Sequence, residues 1–212
     1  MITILLSVLL SIPLGVAASL YQNRWLDYLI RSTSIAGHAL PSFWLAMLVL
    51  LVLSVWLSWS PPIFYTNLWD DPWAYAQKAA WPAIILAWGF SSNLIRVTRS
   101  NMLEVLRQDY VRTARSKGLP ERLIVYRHAL RNALLPIVTV VGIQVGTLLS
   151  GAVVLEGIFG LPGLGQGIVL AANVRDYPVI QSLTMLMVAT MLGLNLIVDL
   201  IYAVADPRVR FS

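Results

Sequence analysis

The sequence contains no cysteine in its 212 residues, and only 12% of them are charged. The first absence excludes a disulfide framework, a thiolate metal site and a cysteine nucleophile. The second separates the chain from soluble domains, where about 25% of residues are charged. Histidine occurs only at His38 and His128. Neither stands near a set of residues that reads as a catalytic triad, so a membrane-embedded enzyme is the weakest of the functional alternatives. There is no GxxxxGK[ST] loop to cradle a nucleotide phosphate. What is abundant is hydrophobic residues, 58% of the chain, gathered into blocks. That distribution indicates an all-α, polytopic membrane protein. The net charge of +5 does not imply nucleic acid, because the basic residues fall between apolar blocks.

Five blocks reach the roughly 17–25 residues a spanning helix needs: 2–20, 39–60, 79–95, 133–155 and 178–205. The first resembles a signal peptide at Gly15-Val16-Ala17-Ala18, but it has no basic residues ahead of it. Placing the loop after it inside puts 13 of the 15 Lys and Arg residues on the cytoplasmic side and leaves only Lys78 and Arg175 outside. This is a strong positive-inside signal. It orients the chain with its N-terminus out and its C-terminus cytoplasmic. An external N-terminus that opens directly on a span leads to the expectation that a further span precedes this one.

Between spans one and two, Trp25, Leu26, Leu29, Ile30 and Ile35 are expected on one side of an interfacial helix, opposite Arg24, Asp27 and Arg31. The outer stretch 60–78 is rich in Trp and Tyr and reads as a headgroup belt. In the fourth span Gly142, Gly146 and Ser150 recur every four residues, a spacing that permits close helix crossing. Gln144 lies about 200° away from that face, and either lines a polar pathway or bonds a neighbouring helix. In the last span Asn195 and Asp199 sit one turn apart. They are candidates for a pathway, or Asp199 pairs with Arg208 or Arg210 near the headgroups. Residues 156–177 hold five glycines and Pro162 and form an outer turn or re-entrant element.

Residues 102–131 are a basic island within the single domain, 1–212. A helix is expected over about 102–117, ended by Gly118 in the left-handed region. A second follows from Pro120 through Arg131, with Glu121 near its positive end. The result is a cytoplasmic helix–Gly–helix knob shaped to enter a groove on another protein, with arginines available to its rim or to anionic lipid.

The run Tyr110-Val111-Arg112-Thr113-Ala114-Arg115-Ser116-Lys117-Gly118-Leu119, with His128-Ala129-Leu130-Arg131-Asn132-Ala133 and Pro136, resembles the EAA loop of ABC-importer permeases, in particular the dipeptide/oligopeptide/nickel branch. Pro41-Ser42-Phe43-Trp44, Phe159-Gly160-Leu161-Pro162-Gly163-Leu164-Gly165, Arg175-Asp176-Tyr177-Pro178-Val179-Ile180-Gln181 and Asp206-Pro207-Arg208-Val209-Arg210 extend the likeness over nearly the whole chain. Arg112, Thr113 and Arg131 depart from the general consensus, while Ala114 and Gly118 keep it. Permeases of this branch carry an additional N-terminal span, so span one here corresponds to their second.

The resemblance implies a type I ABC importer fold in the plasma (inner) membrane of a prokaryote. It implies a second, similar permease, two cytoplasmic ATPases that bind ATP and Mg, and an external solute-binding protein. It also makes Thr113, Ala114, Arg115, Ser116, Lys117, Gly118 and Leu119 the element coupled to the ATPase. No cofactor is expected in this chain. The alternative from another class is an ion-coupled secondary transporter using Asn195 and Asp199, which the scarcity of charge within the spans disfavours. Between the branch's solutes, the absence from the spans of a His, Cys or Met cluster suited to soft or borderline metal favours a short peptide over nickel.

Overall fold

Small residues at four-residue spacing organise the centre of the molecule. Ser7, Ser11, Gly15 and Ser19 recur along α1 (Ile2–Leu20) and all are buried. They face α4 (Pro72–Leu106), the most extensive helix pairing among the described residues. A Cβ on Gly15 would lie 2.5 Å from Thr98 Cβ and 3.1 Å from the Ile95 carbonyl oxygen. Ser7 Oγ donates to the Thr3 and Ala87 carbonyls, at 2.7 and 3.3 Å, so it joins the two helices. Close backbone approach of this kind supplies the packing that the hydrophobic effect does not supply between helices in lipid.

The computed structural model describes residues 2–62 and 65–205. The remaining described helices are α2 (Trp25–Ala39), α3 (Ser42–Leu57), α5 (Asp109–Ser116), α6 (Glu121–Leu123), a π-helical turn (Ile124–Ala129), α7 (Leu130–Phe159), α8 (Leu164–Asn173) and α9 (Tyr177–Ala205). No strand occurs among the described residues. Among the described residues, two helices are individually long and apolar enough to cross a membrane, over Ile2–Leu20 and Tyr177–Val198. Two bent pairs also qualify, Trp25–Ala39 with Ser42–Leu57 at 104°, and Gly151–Phe159 with Leu164–Asn173 at 77°.

Helices α4 and α7 exceed the apolar blocks that announced them, while α3 is shorter than its block. Block 79–95 lies within a helix of 35 residues, about 52 Å long against a hydrocarbon core of about 30 Å. Its start is fixed chemically. Asp71 Oδ1 accepts from the backbone N–H groups of Trp73 and Ala74, both at 3.0 Å, and Pro72 fills the first turn. Its far end runs beyond the block because Arg96 to Leu106 contains neither Gly nor Pro to stop it.

Three apolar clusters run from one end of the bundle to the other. Ala46, Ile85, Leu155 and Phe159 form the first, at the end away from the basic island. Phe90, Leu94, Ile137 and Leu148 form the middle one. Val16, Met102, Val125, Ala129 and Ala133 form the last, beneath the island. At the first end Glu156 closes the α7–α8 corner. Its carboxylate accepts the N–H of Gln166 at 2.9 Å, in the first turn of α8, and it occupies the space that a Cβ on Gly163 would need.

Candidate functional site

The basic island folds as two arms joined by a stapled turn. The first arm differs from the single helix expected over 102–117: α4 ends at Leu106, and α5 starts afresh at Asp109. Arg107 N–H bonds to Glu104 O and Gln108 N–H to Val105 O, which tightens the last turn of α4. Gln108 then adopts an extended backbone, ψ 150°, that redirects the chain. The second arm starts one residue later than its proline suggests. Pro120 is the extended residue before α6, at ψ 138°.

The turn is a Schellman motif. Gly118 has φ +75°, a conformation that a side chain resists. Gly118 N–H donates to Arg115 O at 2.9 Å, and Leu119 N–H to Ala114 O at 3.3 Å. Leu119 packs with Val111, Ala114 and Ile124 in a small cluster of its own, the apolar contact that usually accompanies this motif. A bidentate ion pair then ties one arm to the other. Arg115 Nη2 and Nε donate to the Glu121 carboxylate at 2.6 and 3.1 Å. Arg115 holds the Glu121 carboxyl below its ordinary 4.5, and Glu121 raises the guanidinium further. Asn132 Nδ2, on α7, donates to Tyr110 Oη at 2.8 Å and so fastens α5 to the second arm.

The expected coupling residues divide into two sets. Thr113, Arg115, Ser116, Lys117 and Gly118 are exposed. Ala114 is buried against Val111 and Ile124, and Leu119 is half-buried beside it. The exposed surface of the turn is therefore the polar rim and the glycine backbone, with Ala114 and Leu119 beneath it. Next to the rim, Pro120, Arg122, Leu123, Tyr126 and Arg127 line an open hollow of about 570 Å³. Part of this hollow lies on the π-helical turn, whose closing bond runs from Leu130 N–H to Val125 O. Single π-helical turns inside α-helices often occur at functional sites. Nothing in the sequence pattern announced this one.

The intramembrane candidates lie apart. A Cβ on Gly142 would lie 2.7 Å from Val198 Cγ1, and one on Gly146 would lie 2.6 Å from Met191 Cε, so both glycines carry the α7–α9 crossing. Asn195 is half-buried and falls between Met191 and Val198 on that face of α9. Gln144 is buried and shares the Ile137, Val141 and Leu148 side of α7, which packs on α4. The crossing and the glutamine thus occupy different faces of α7, and the structure does not bring Gln144 and Asn195 together. The side chains of Ser150 and Asp199, and the whole of residues 206–212, lie outside the described residues.

One interaction contradicts the sequence reading of α2. Asp27 is buried, together with Ile30, Ser34 and Gly37, while Trp25, Leu29 and Ile35 are exposed. The expected apolar set is divided, with Ile30 and Leu26 packed inward beside Ala18 and Ile95 and the other three outward. Asp27 faces α4 because Arg99 reaches it there, with Nε and Nη2 each 2.7 Å from a different carboxylate oxygen. Asn23 N–H adds a third donor at 3.0 Å. Acid and arginine are 72 positions apart, and no local spacing links them.

Comparison with known proteins places this architecture. The family described as binding-protein-dependent transport system inner membrane component matches residues 11–211. The chain belongs to this family. It is 40% identical, over its whole length and 67% of the relative, to the oligopeptide transport system permease protein AppB of Bacillus subtilis (strain 168). It is 37% identical, over 97% of its length and 68% of the relative, to the dipeptide transport system permease protein DppB of Alkalihalophilus pseudofirmus. The chain thus spans about two thirds of the length of these relatives. A solved chain of the MetNI methionine ABC transporter, in an inward-facing conformation, shares the fold, with a TM-score of 0.74 over 97% of this chain and 90% of that one, at 16% identity. This inner-membrane permease is a transport component, not an enzyme, of a system that depends on a solute-binding protein.

Proposed function

We propose that this permease forms one half of the pathway of an ATP-driven importer of short peptides, and that the turn at Thr113–Leu119 is where ATPase motion enters it. The observation that carries the reading is the stapled turn itself. A loop that only set topology or attracted lipid would need positive charge and nothing more. This one has a Schellman turn, a private apolar cluster and a bidentate clamp between its arms. Such a unit transmits force because its parts move together.

In this reading a second permease completes the pathway, and two ATPases with ATP and Mg grip the two turns from the cytoplasm. Closure of the ATPases draws the turns together and shifts the helices from inward-open to outward-open. An external binding protein then delivers the peptide. The ATPases must bind the two permease states with different affinity, otherwise hydrolysis moves nothing. The basic end of the bundle faces the cytoplasm, as the distribution of Lys and Arg requires, and the C-terminus lies on that side. A peptide cargo is supported by the oligopeptide and dipeptide names of AppB and DppB and by the absence of a metal-binding His, Cys, Asp or Glu group among the described residues.

The test uses the reconstituted transporter. Gly118→Pro forces φ negative at the turn, and Ala114→Arg places a charge in its apolar cluster. Both should abolish substrate-stimulated ATP hydrolysis while the subunit still inserts in the membrane. Stimulated hydrolysis that survives both changes removes the coupling assignment. Nanomolar nickel binding without peptide affinity, in the cognate binding protein, removes the peptide assignment alone.

A further inference from the structure

A second basic feature lies away from the turn, between α2 and α4. The two helices meet closely at Gly37, where a Cβ would collide with Ser92 Oγ and lie 3.0 Å from Trp88 Nε1. Beside this contact they leave a hollow of about 460 Å³. Arg31, Ser34 and His38 line it from α2, and Asn93, Arg96 and Arg99 from α4. Three guanidinium groups therefore meet there with a single carboxylate beside them, and Arg99 takes that carboxylate through both of its oxygens. Arg96 Nη2 is steadied by a 2.8 Å bond to Asn93 Oδ1. Neither Arg31 nor Arg96 is in an ion pair among the described residues.

The walls have a second character. Ile35, Ala39 and Ile95 also line the hollow. From Ile35 an exposed apolar strip continues along α2 through Tyr28, seven residues back on the same face, to Trp25. Unpaired arginine forks beside serine hydroxyls and an amide suit a tetrahedral oxyanion. An exposed apolar strip leading into the same hollow suits the chains of an amphiphile, with an interfacial tryptophan at its end.

We infer that the α2–α4 groove binds a phosphate oxyanion, carried by an anionic phospholipid of the leaflet that meets the basic end of the bundle. Arg31 and Arg96 hold the phosphate, Ser34 and His38 border it, and the acyl chains lie along Ile35 and Tyr28. Arg99, held by Asp27, contributes the shape of the groove. The same chemistry would accept free phosphate, and the experiment separates the two sources.

The assembled transporter is placed in nanodiscs of phosphatidylcholine containing a minor fraction of phosphatidylglycerol, and retained lipid is counted by native mass spectrometry. Wild type should retain phosphatidylglycerol, and Arg31→Gln with Arg96→Gln should weaken retention roughly thirtyfold, since two surface guanidiniums are lost. Arg31→Lys with Arg96→Lys should restore most of it. Arg24→Gln removes a neighbouring charge outside the groove and should leave retention unchanged. Retention that resists millimolar inorganic phosphate at constant ionic strength identifies lipid as the source, whereas displacement identifies free phosphate. Three results would each overturn the inference: a glutamine double variant that keeps its lipid, an equal loss in Arg24→Gln, or a wild type that holds neither lipid nor phosphate.

Discussion

Two bidentate arginine–carboxylate pairs, nearly identical in geometry, do different work in this molecule. Arg99 grips Asp27 at 2.7 Å through both donors, and Arg115 grips Glu121 at 2.6 and 3.1 Å. The first joins residues 72 positions apart, with side chains 18% and 0% exposed. The second joins residues six apart, with side chains 43% and 55% exposed. Water decides the difference. An exposed pair exchanges hydration for contact and gains little, while a buried carboxylate deprived of its partner has no water to fall back on. The inner pair therefore fixes where α2 stands against α4. The outer pair only shapes a turn that backbone bonds and an apolar cluster already hold.

The largest effect should come from breaking the inner pair on one side. Arg99→Ala leaves the Asp27 carboxylate buried without its main partner and should cost on the order of 3 kcal/mol, read as a lowered unfolding midpoint of the purified protein. Removing both charges, Asp27→Asn with Arg99→Leu, should cost clearly less than Arg99→Ala. A double variant as damaged as the single would mean that the pair's attraction, and not the stranded charge, carries the stability.

Next comes the backbone of the turn. No atom stands within 4 Å of a Cβ added at Gly118, so Gly118→Ala meets only the strain of φ +75°, about 1–2 kcal/mol. Amide exchange should quicken over Asp109–Leu119 and stay slow at Met102. The smallest effect belongs to the outer pair. Glu121→Gln should change stability by less than about 1 kcal/mol. Its pH dependence has a definite sign. Because Arg115 lowers the Glu121 carboxyl below 4.5, the pair's contribution is complete above that value and is lost as pH falls through the lower, folded one. Protection of the turn's amides, measured relative to their intrinsic exchange rate at each pH, should therefore be constant from pH 7 to 5 and fall only in more acidic solution, and Glu121→Gln should abolish that acid response.

The same division governs how much could be read before the fold was seen. The helix–Gly118–helix turn was legible because a left-handed glycine followed by Leu119-Pro120 is a local instruction. So was the close crossing at Gly142 and Gly146. The four-residue repeat of Ser7, Ser11, Gly15 and Ser19 carried the same kind of signal for the α1–α4 contact, but Gly15 was read there as cleavage-site context. The grouping on α2 was not legible: Ile30 and Leu26 turn inward together with Asp27, while Trp25, Leu29 and Ile35 stay exposed. Ala114 was assigned to the contact surface, although its burial depends on Ile124, which comes from the other arm.

Sequence by itself determined the class of the protein, the turn at Gly118 and the family likeness, because hydrophobic period, glycine conformation and charge placement act within a few residues. Only the tertiary structure decided that Asp27 belongs to Arg99, that Gln144 faces α4 while Asn195 faces α7, and that arginines of α2 and α4 share one groove. Those pairings join residues dozens of positions apart. Their stability comes from the loss of water around them, which exists only once the helices have met.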